Sequence, residues 1–174
     1  MHTGQITIRK AHPDDAMCLG ILGTHVFLDT YAGTGIRAAL AKEVLRAFNT
    51  GEMGALLQRD DITVFIAESS GHLIGFAQIR TGVTEAGVTG THPAELERLY
   101  LHGAFIGIGL GTRLLTASER HATSAGADTL WLSCLASNTR AERFYARNQY
   151  SRCGTLTFEM EGEQHENVVL QKQI

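Results

Sequence analysis

Four glycines, Gly103, Gly107, Gly109 and Gly111, fall within nine residues, just ahead of a helical pattern that starts near residue 109. A glycine turn feeding a helix aims several free backbone N–H groups at one spot, where the helix dipole is positive. That is the chemistry of a phosphate cradle: glycine lets an anion approach the main chain and supplies positive φ where it is needed. A tight turn without a ligand is the plainer alternative. Glu95 and Glu97 lie two residues apart just upstream, so on a strand both point to one face. Either carboxylate suits proton abstraction. His102, with its near-neutral pKa, is a third acid–base group, and strand alternation turns it to the opposite face.

Other site chemistries fit less well. A P-loop needs GxxxxGK[ST], and neither Lys-Ser nor Lys-Thr follows these glycines. In a dinucleotide fingerprint the third glycine would stand at Thr112, and Asp128 comes before the next strand rather than after it. Ser133, Cys134 and the histidines show no triad spacing. The eight histidines form no HxxxH or HExxH, so no metal is expected.

These groups need a scaffold, and the pattern along the chain supplies one. Residues 5–10 alternate as a half-buried strand, and Pro13, Asp14 and Asp15 open a helix over about 14–30. A second helix covers about 36–48, and a short helical turn follows at Met53–Gln58. Residues 62–68 and 73–81 read as strands joined by the turn Ser69-Ser70-Gly71-His72. A Gly/Thr-rich loop at 82–94 leads to a strand at 95–102. A helix over 109–125 stops at Gly126, and a buried strand spans 129–134. Asn138 caps a helix over about 139–148, and 150–159 with 165–173 form a last strand pair around Glu161-Gly162-Glu163. The expected fold is α/β (α+β): a single mixed, mostly antiparallel twisted sheet of six to seven strands, flanked by about four helices. One domain spans 1–174.

Composition bounds the partners. Fifteen Lys+Arg against eighteen Asp+Glu give a formal charge of -3, with no basic excess to hold nucleic acid. Three widely spaced cysteines, Cys18, Cys134 and Cys153, with no CxxC, fit a reducing compartment. The start lacks the apolar core of a signal peptide, and no stretch approaches 18 apolar residues. The expectation is a cytoplasmic protein without a membrane segment.

The run ELERLYLHGAFIGIGLGTRLL, Glu95 to Leu115, resembles the acetyl-CoA-binding core of the GCN5-related N-acetyltransferases (GNAT). Their Q/R-x-x-G-x-G/A becomes Ile106-Gly107-Ile108-Gly109-Leu110-Gly111, with Ile106 in place of Gln or Arg. The run LWLSCLASNTRAERFYARNQYSRCG, Leu130 to Gly154, is similar to the family's later segment at Asn138, Ala141, Phe144 and Tyr145. Asn148-Gln149-Tyr150 departs from its usual x-Gly-Phe. VFLDTYAG resembles a subgroup that includes a polyamine acetyltransferase.

The resemblance implies an N-acetyltransferase that moves the acetyl group of acetyl-CoA, its cosubstrate, to a primary amine by direct attack in a ternary complex. The amine belongs to a small molecule, a polyamine, or a peptide or protein. It implies Tyr145 as the acid that protonates the leaving sulfur, and Glu97 or Glu95 as the base, with Glu97 placed first. It implies main-chain pairing of Leu99, Tyr100 and Leu101 to the pantetheine arm. The pyrophosphate falls to Gly107, Ile108, Gly109, Leu110, Gly111 and Thr112. Asn138 contacts the pantetheine or simply caps its helix. Phe27, Tyr31, Gln78 and Arg80 are placed on the acceptor side. A homodimer is compatible with the family, and no metal is implied. The alternative is a CoA-binding sensor of the same fold without catalysis.

Overall fold

The computed structural model describes residues 4–160 and 163–174, without the side chains of Met160 and Glu163. Of the expected Glu161-Gly162-Glu163 turn, residues 161 and 162 lie outside the described residues. The strands are β1 Ile6–Lys10, β2 Ile62–Ser69, β3 His72–Thr81, β4 Pro93–Leu101, β5 Thr129–Leu135, β6 Ser151–Met160 and β7 Glu163–Gln173. The helices are α1 Ala16–Tyr31, α2 Ala38–Ala47, α3 Thr50–Leu57, α4 Leu110–Ser124 and α5 Thr139–Arg147. Short 3-10 turns stand at Pro13–Asp15 and Gly103–Phe105.

The sheet has seven strands in the order β1-β2-β3-β4-β5-β7-β6. β1–β2, β5–β7 and β6–β7 are antiparallel, and β4–β5 is parallel. The mixed, mostly antiparallel sheet expected from the sequence is therefore present. Two expectations need correction. The short turn at Met53–Gln58 is a full helix, Thr50–Leu57, because the Asn49 side chain accepts from Glu52 N at 2.9 Å and caps it. The described residues thus hold five α-helices rather than about four. His102 lies outside β4 and heads the 3-10 turn that follows.

The chain divides into two compact units, Met1–Gln78 with Arg98–Ala117, and Ile79–Glu97 with Ser118–Ile174. The first packs Leu19, Leu22, Val44, Phe48, Met53, Val64, Ile66 and Phe76 into one buried cluster. Gly20 and Gly23 make that packing possible. A Cβ on Gly20 would meet the Phe48 carbonyl oxygen, and one on Gly23 the Phe48 ring. Small residues let α1 lie directly on the end of α2.

The second unit buries Leu130, Trp131, Leu132, Val168, Val169 and Leu170, with Tyr145 and Tyr150. The Tyr150 hydroxyl donates to Glu119 Oε1 at 3.1 Å, and Lys172 Nζ donates to the same oxygen at 2.9 Å. Burial and the Glu119 charge push the Tyr150 pKa well up. α5 ends with Gln149 N donating to Ala146 O at 3.0 Å and Tyr150 N to Tyr145 O at 3.0 Å. That paired closure puts Gln149 at φ +71, a position that favours glycine. Gln149 therefore holds the strained conformation that the family's usual glycine would relieve. Gln149→Gly should raise stability by about 1 kcal/mol, measured as a rightward shift of the urea midpoint at unchanged slope.

Candidate active site

The glycine turn belongs to the first unit. β4 ends at Leu101, and His102 Nδ1 accepts from Ala104 N at 3.3 Å to start the 3-10 turn. Gly107 and Gly109 then adopt φ +86 and +83. A Cβ built on either would meet nothing within 4 Å, so their outer side is open. Four exposed residues, Ile106 to Gly109, precede Leu110, where the 15-residue helix α4 begins. Open glycines at positive φ before a long helix leave first-turn N–H groups accessible to an anion. The residues present fit a diphosphate. Gly111 differs, being buried in the first turn of the helix. Ile106 and Ile108, 41% and 57% exposed, give the cradle an apolar rim.

The side chains of Tyr100 and Leu101 pack inward. The Tyr100 ring meets Phe76 at 5.3 Å and Phe48 at 6.2 Å between centroids. Burial pushes its hydroxyl pKa up to about 12. A Cβ on Gly75 would meet Leu101 Cδ2 at 2.6 Å, so Leu101 covers that glycine.

The acid–base candidates belong to the second unit. β4 pairs with β5 from Pro93↔Thr129 to Glu95↔Trp131. Along β4, Ala94 and Leu96 are buried while Glu95 and Glu97 are half-buried, as alternation requires. The Glu95 pKa rises to about 7. Burial is the main cause, the negative charges of Glu97 and Glu85 add to it, and Arg80 opposes it. Glu97 holds Arg80 instead, at 3.9 Å. Burial therefore favours the protonated form of Glu95.

Tyr145 stands on α5, 8% exposed, with its ring edge-on to Phe144 at 5.1 Å and Tyr150 at 5.7 Å. Asn138 Oδ1 accepts from Ala141 N at 3.1 Å, so this oxygen caps α5. Burial and the Glu142 charge push the Cys134 thiol up to about 11, and burial pushes Cys153 up as well. Both remain thiols at neutral pH, which disfavours either as a nucleophile.

The sequence offered Asp128 only as the acid of a rejected dinucleotide fingerprint and gave Arg98 no role. Asp128 Oδ2 accepts from Thr91 N at 2.7 Å and His92 N at 3.1 Å, clamping the chain just before β4. Those bonds hold its carboxyl below the usual range. The Arg98 Nη1 donates to Gln78 Oε1 at 2.6 Å. Gln78 and Arg80, both placed on the acceptor side from sequence, thus have different company: Gln78 holds Arg98, and Arg80 faces Glu97. No local pattern marks Asp128, whereas Arg98 could have been noticed as a charge on the apolar face of β4. Among the described residues, no group of three or more His, Cys, Asp or Glu could hold a metal ion.

The profile of the acetyltransferase (GNAT) family matches residues 28–150. The chain belongs to that family. An uncharacterized N-acetyltransferase of Mycobacterium tuberculosis is 32% identical over 104 residues, which cover 60% of this chain and 62% of that relative's length. Two solved structures share the fold. The PaiA N-acetyltransferase of Thermoplasma acidophilum, in complex with coenzyme A, superposes with a TM-score of 0.75 at 22% identity, over 98% of this chain and 99% of that one. A putative acetyltransferase of Salmonella typhimurium, YncA, with its cofactor acetyl-CoA, gives 0.74 at 20% identity, over 98% and 94%. Among the described residues, no helix is long and apolar enough to cross a membrane.

Proposed function

We propose that this chain is an acetyl-CoA-dependent N-acetyltransferase acting on a primary amine in the cytoplasm, with residues 1–174 as one catalytic domain. The observation that carries the reading is the open cradle of Gly107 and Gly109 ahead of α4. Membership of the GNAT family and the CoA-bound neighbours support it. Gly107 to Thr112 hold the pyrophosphate by main-chain N–H groups, and the main chain of Leu99 to Leu101 lines the pantetheine arm. When bound, acetyl-CoA supplies an acetyl group activated as a thioester.

The chain's own residues manage protons. An alkylamine has a pKa near ~10.4, so at neutral pH it arrives as an ammonium ion. Glu95 accepts that proton, directly or through water, and frees the nitrogen lone pair to form the new N–C bond. Burial first, and then the charges of Glu97 and Glu85, keep Glu95 basic enough to do so. As the carbon–sulfur bond breaks, Tyr145 donates its proton to the departing sulfur, and the second amine proton, shed through water as the amide forms, restores the Tyr145 hydroxyl. No covalent enzyme intermediate is needed, in keeping with the protonated state of Cys134 and Cys153.

Release of free thiol from acetyl-CoA in the presence of a panel of amines tests the reading. Tyr145→Phe should lower turnover about tenfold or more while leaving acetyl-CoA affinity within twofold. An unchanged rate would remove Tyr145 from the reaction.

A further inference from the structure

β1 and β6 are the two edges of the sheet. A free strand edge presents a row of unpaired N–H and C=O groups to any second strand. β1 is short, and Arg113 Nη2 donates to Ile6 O at 2.9 Å. β6 is longer, Ser151–Met160, and holds neither Pro nor Lys to blunt it. Among the described residues, β7 is its only main-chain partner. The loop at 82–92 lies near Cys153 and Gly154, since a Cβ on Gly87 would meet the Cys153 carbonyl oxygen. Among the described residues, no main-chain hydrogen bond joins that loop to β6. The loop, β6 and β7 all belong to the second compact unit.

The β6 strand is also self-complementary. Its pairing with β7 slips at Cys153, a bulge between Arg152 and Gly154. Plain alternation would put Arg152 and Glu159 on opposite faces. The bulge puts them on one face, since their β7 partners, Leu170 and Gln164, are an even number of residues apart. Thr155 and Thr157, opposite Val168 and Glu166, share that face. Counted in paired positions, Arg152, Gly154 and Thr155 precede Leu156, and Thr157, Phe158 and Glu159 follow it. Leu156 is thus the midpoint between the two charges. Both charged residues are exposed, and among the described residues neither has an ion pair.

We propose that the β6 edge binds the same edge of a second copy of this chain, antiparallel about a two-fold axis at Leu156. A two-fold axis normal to the sheet keeps every side chain on its own face, so only residues that share a face can be opposed. Arg152 then faces Glu159 of the partner subunit, Glu159 faces the partner's Arg152, and Thr155 meets the partner's Thr157. On the other face Leu156 meets the partner's Leu156, and Gly154 lies beside the partner's Phe158. Opposite charges and paired threonines stabilise neighbouring strands, and an aromatic ring beside a strand glycine covers bare main chain. No other centre along β6 opposes Arg152 and Glu159. Such pairing does not depend on acetyl transfer.

Sedimentation velocity of the full chain at low salt, from about 1 to about 500 µM, tests this. A contact confined to one strand edge is small, so a dissociation constant on the order of 10 to 100 µM is expected. Arg152→Glu and Glu159→Arg each oppose like charges twice per dimer, and each should weaken it about tenfold. The double variant Arg152→Glu with Glu159→Arg restores both pairs at the parent's net charge. Its dissociation constant should return to within about threefold of the parent's. An equimolar mixture of the two single variants should pair at least as tightly as the parent, because each offers the charge the other needs. Both side chains are exposed, so all three variants should melt with the parent. A parent that stays monomeric, single variants that dimerise like the parent, or a double variant as weak as the singles would overturn the proposal.

Discussion

Replacing Glu95 with Gln should lower kcat/KM by about a hundredfold or more and remove an ionisation near pH 7 from its pH profile. The parent protein should lose activity about tenfold per pH unit below that point, because a protonated carboxyl cannot take the acceptor's proton. The sign follows from the raised pKa of about 7, caused first by burial and then by Glu97, with Glu85 adding and Arg80 opposing. A second readout is independent of catalysis. Folded Glu95 binds its proton more tightly than the unfolded chain, whose value is near 4.5. Its contribution to stability is therefore fully present below about pH 4.5 and is lost as pH rises through about 7. Glu95→Gln should lack that decline. Glu97→Gln makes a useful contrast: it removes a like charge and so should move the ionisation downward rather than abolish it. A profile that keeps its ionisation near pH 7 in Glu95→Gln would transfer the base role elsewhere.

Gly109→Val should abolish measurable acetyl-CoA binding. Gly109 takes φ +83, where a β-branched residue is strongly disfavoured, and its outer side is open where the anion would approach. Valine both distorts the turn and blocks the main chain. With no neighbour within 4 Å of the added Cβ, the remainder of the protein should tolerate the change, so the loss belongs to binding rather than to folding. Calorimetric titration with acetyl-CoA, alongside a melting curve, separates the two. Retained affinity in a folded Gly109→Val protein would mean that the pyrophosphate lies elsewhere.

The glycine turn was legible because its signal is local: spacing alone marks a strand, a turn and a helix start, and φ at Gly107 and Gly109 follows from that. The strand carrying Glu95 and Glu97 was equally legible, but alternation cannot rank two residues on one face. Proposing Glu95 ahead of Glu97 as the base draws on its burial, on the Arg80 partner of Glu97 and on the charge of Glu85 from the neighbouring loop. α3 was shortened because the Asn49 cap lies before the apolar residues used to find it. Gln149 shows the reverse case. It departs from the family's usual glycine, yet the turn forms regardless, since two backbone hydrogen bonds close it. Arg98 could be noticed as a charge among apolar neighbours, but not its contacts, because they come from Phe48 and Gln78, residues far apart in sequence. No pattern within one segment brings them together.

Catalytic acetyl transfer is tested by following both products at once. The full chain is incubated with acetyl-CoA and a panel of amines that includes amino acids and polyamines. Free thiol is followed by absorbance and the acetylated amine by mass spectrometry. Thiol release should depend on the amine, with one acetylated product per thiol, and both should be lost in Glu95→Gln. Tight binding of acetyl-CoA with no amine-dependent thiol release across the panel would contradict catalytic transfer and leave a CoA-binding sensor of the same fold.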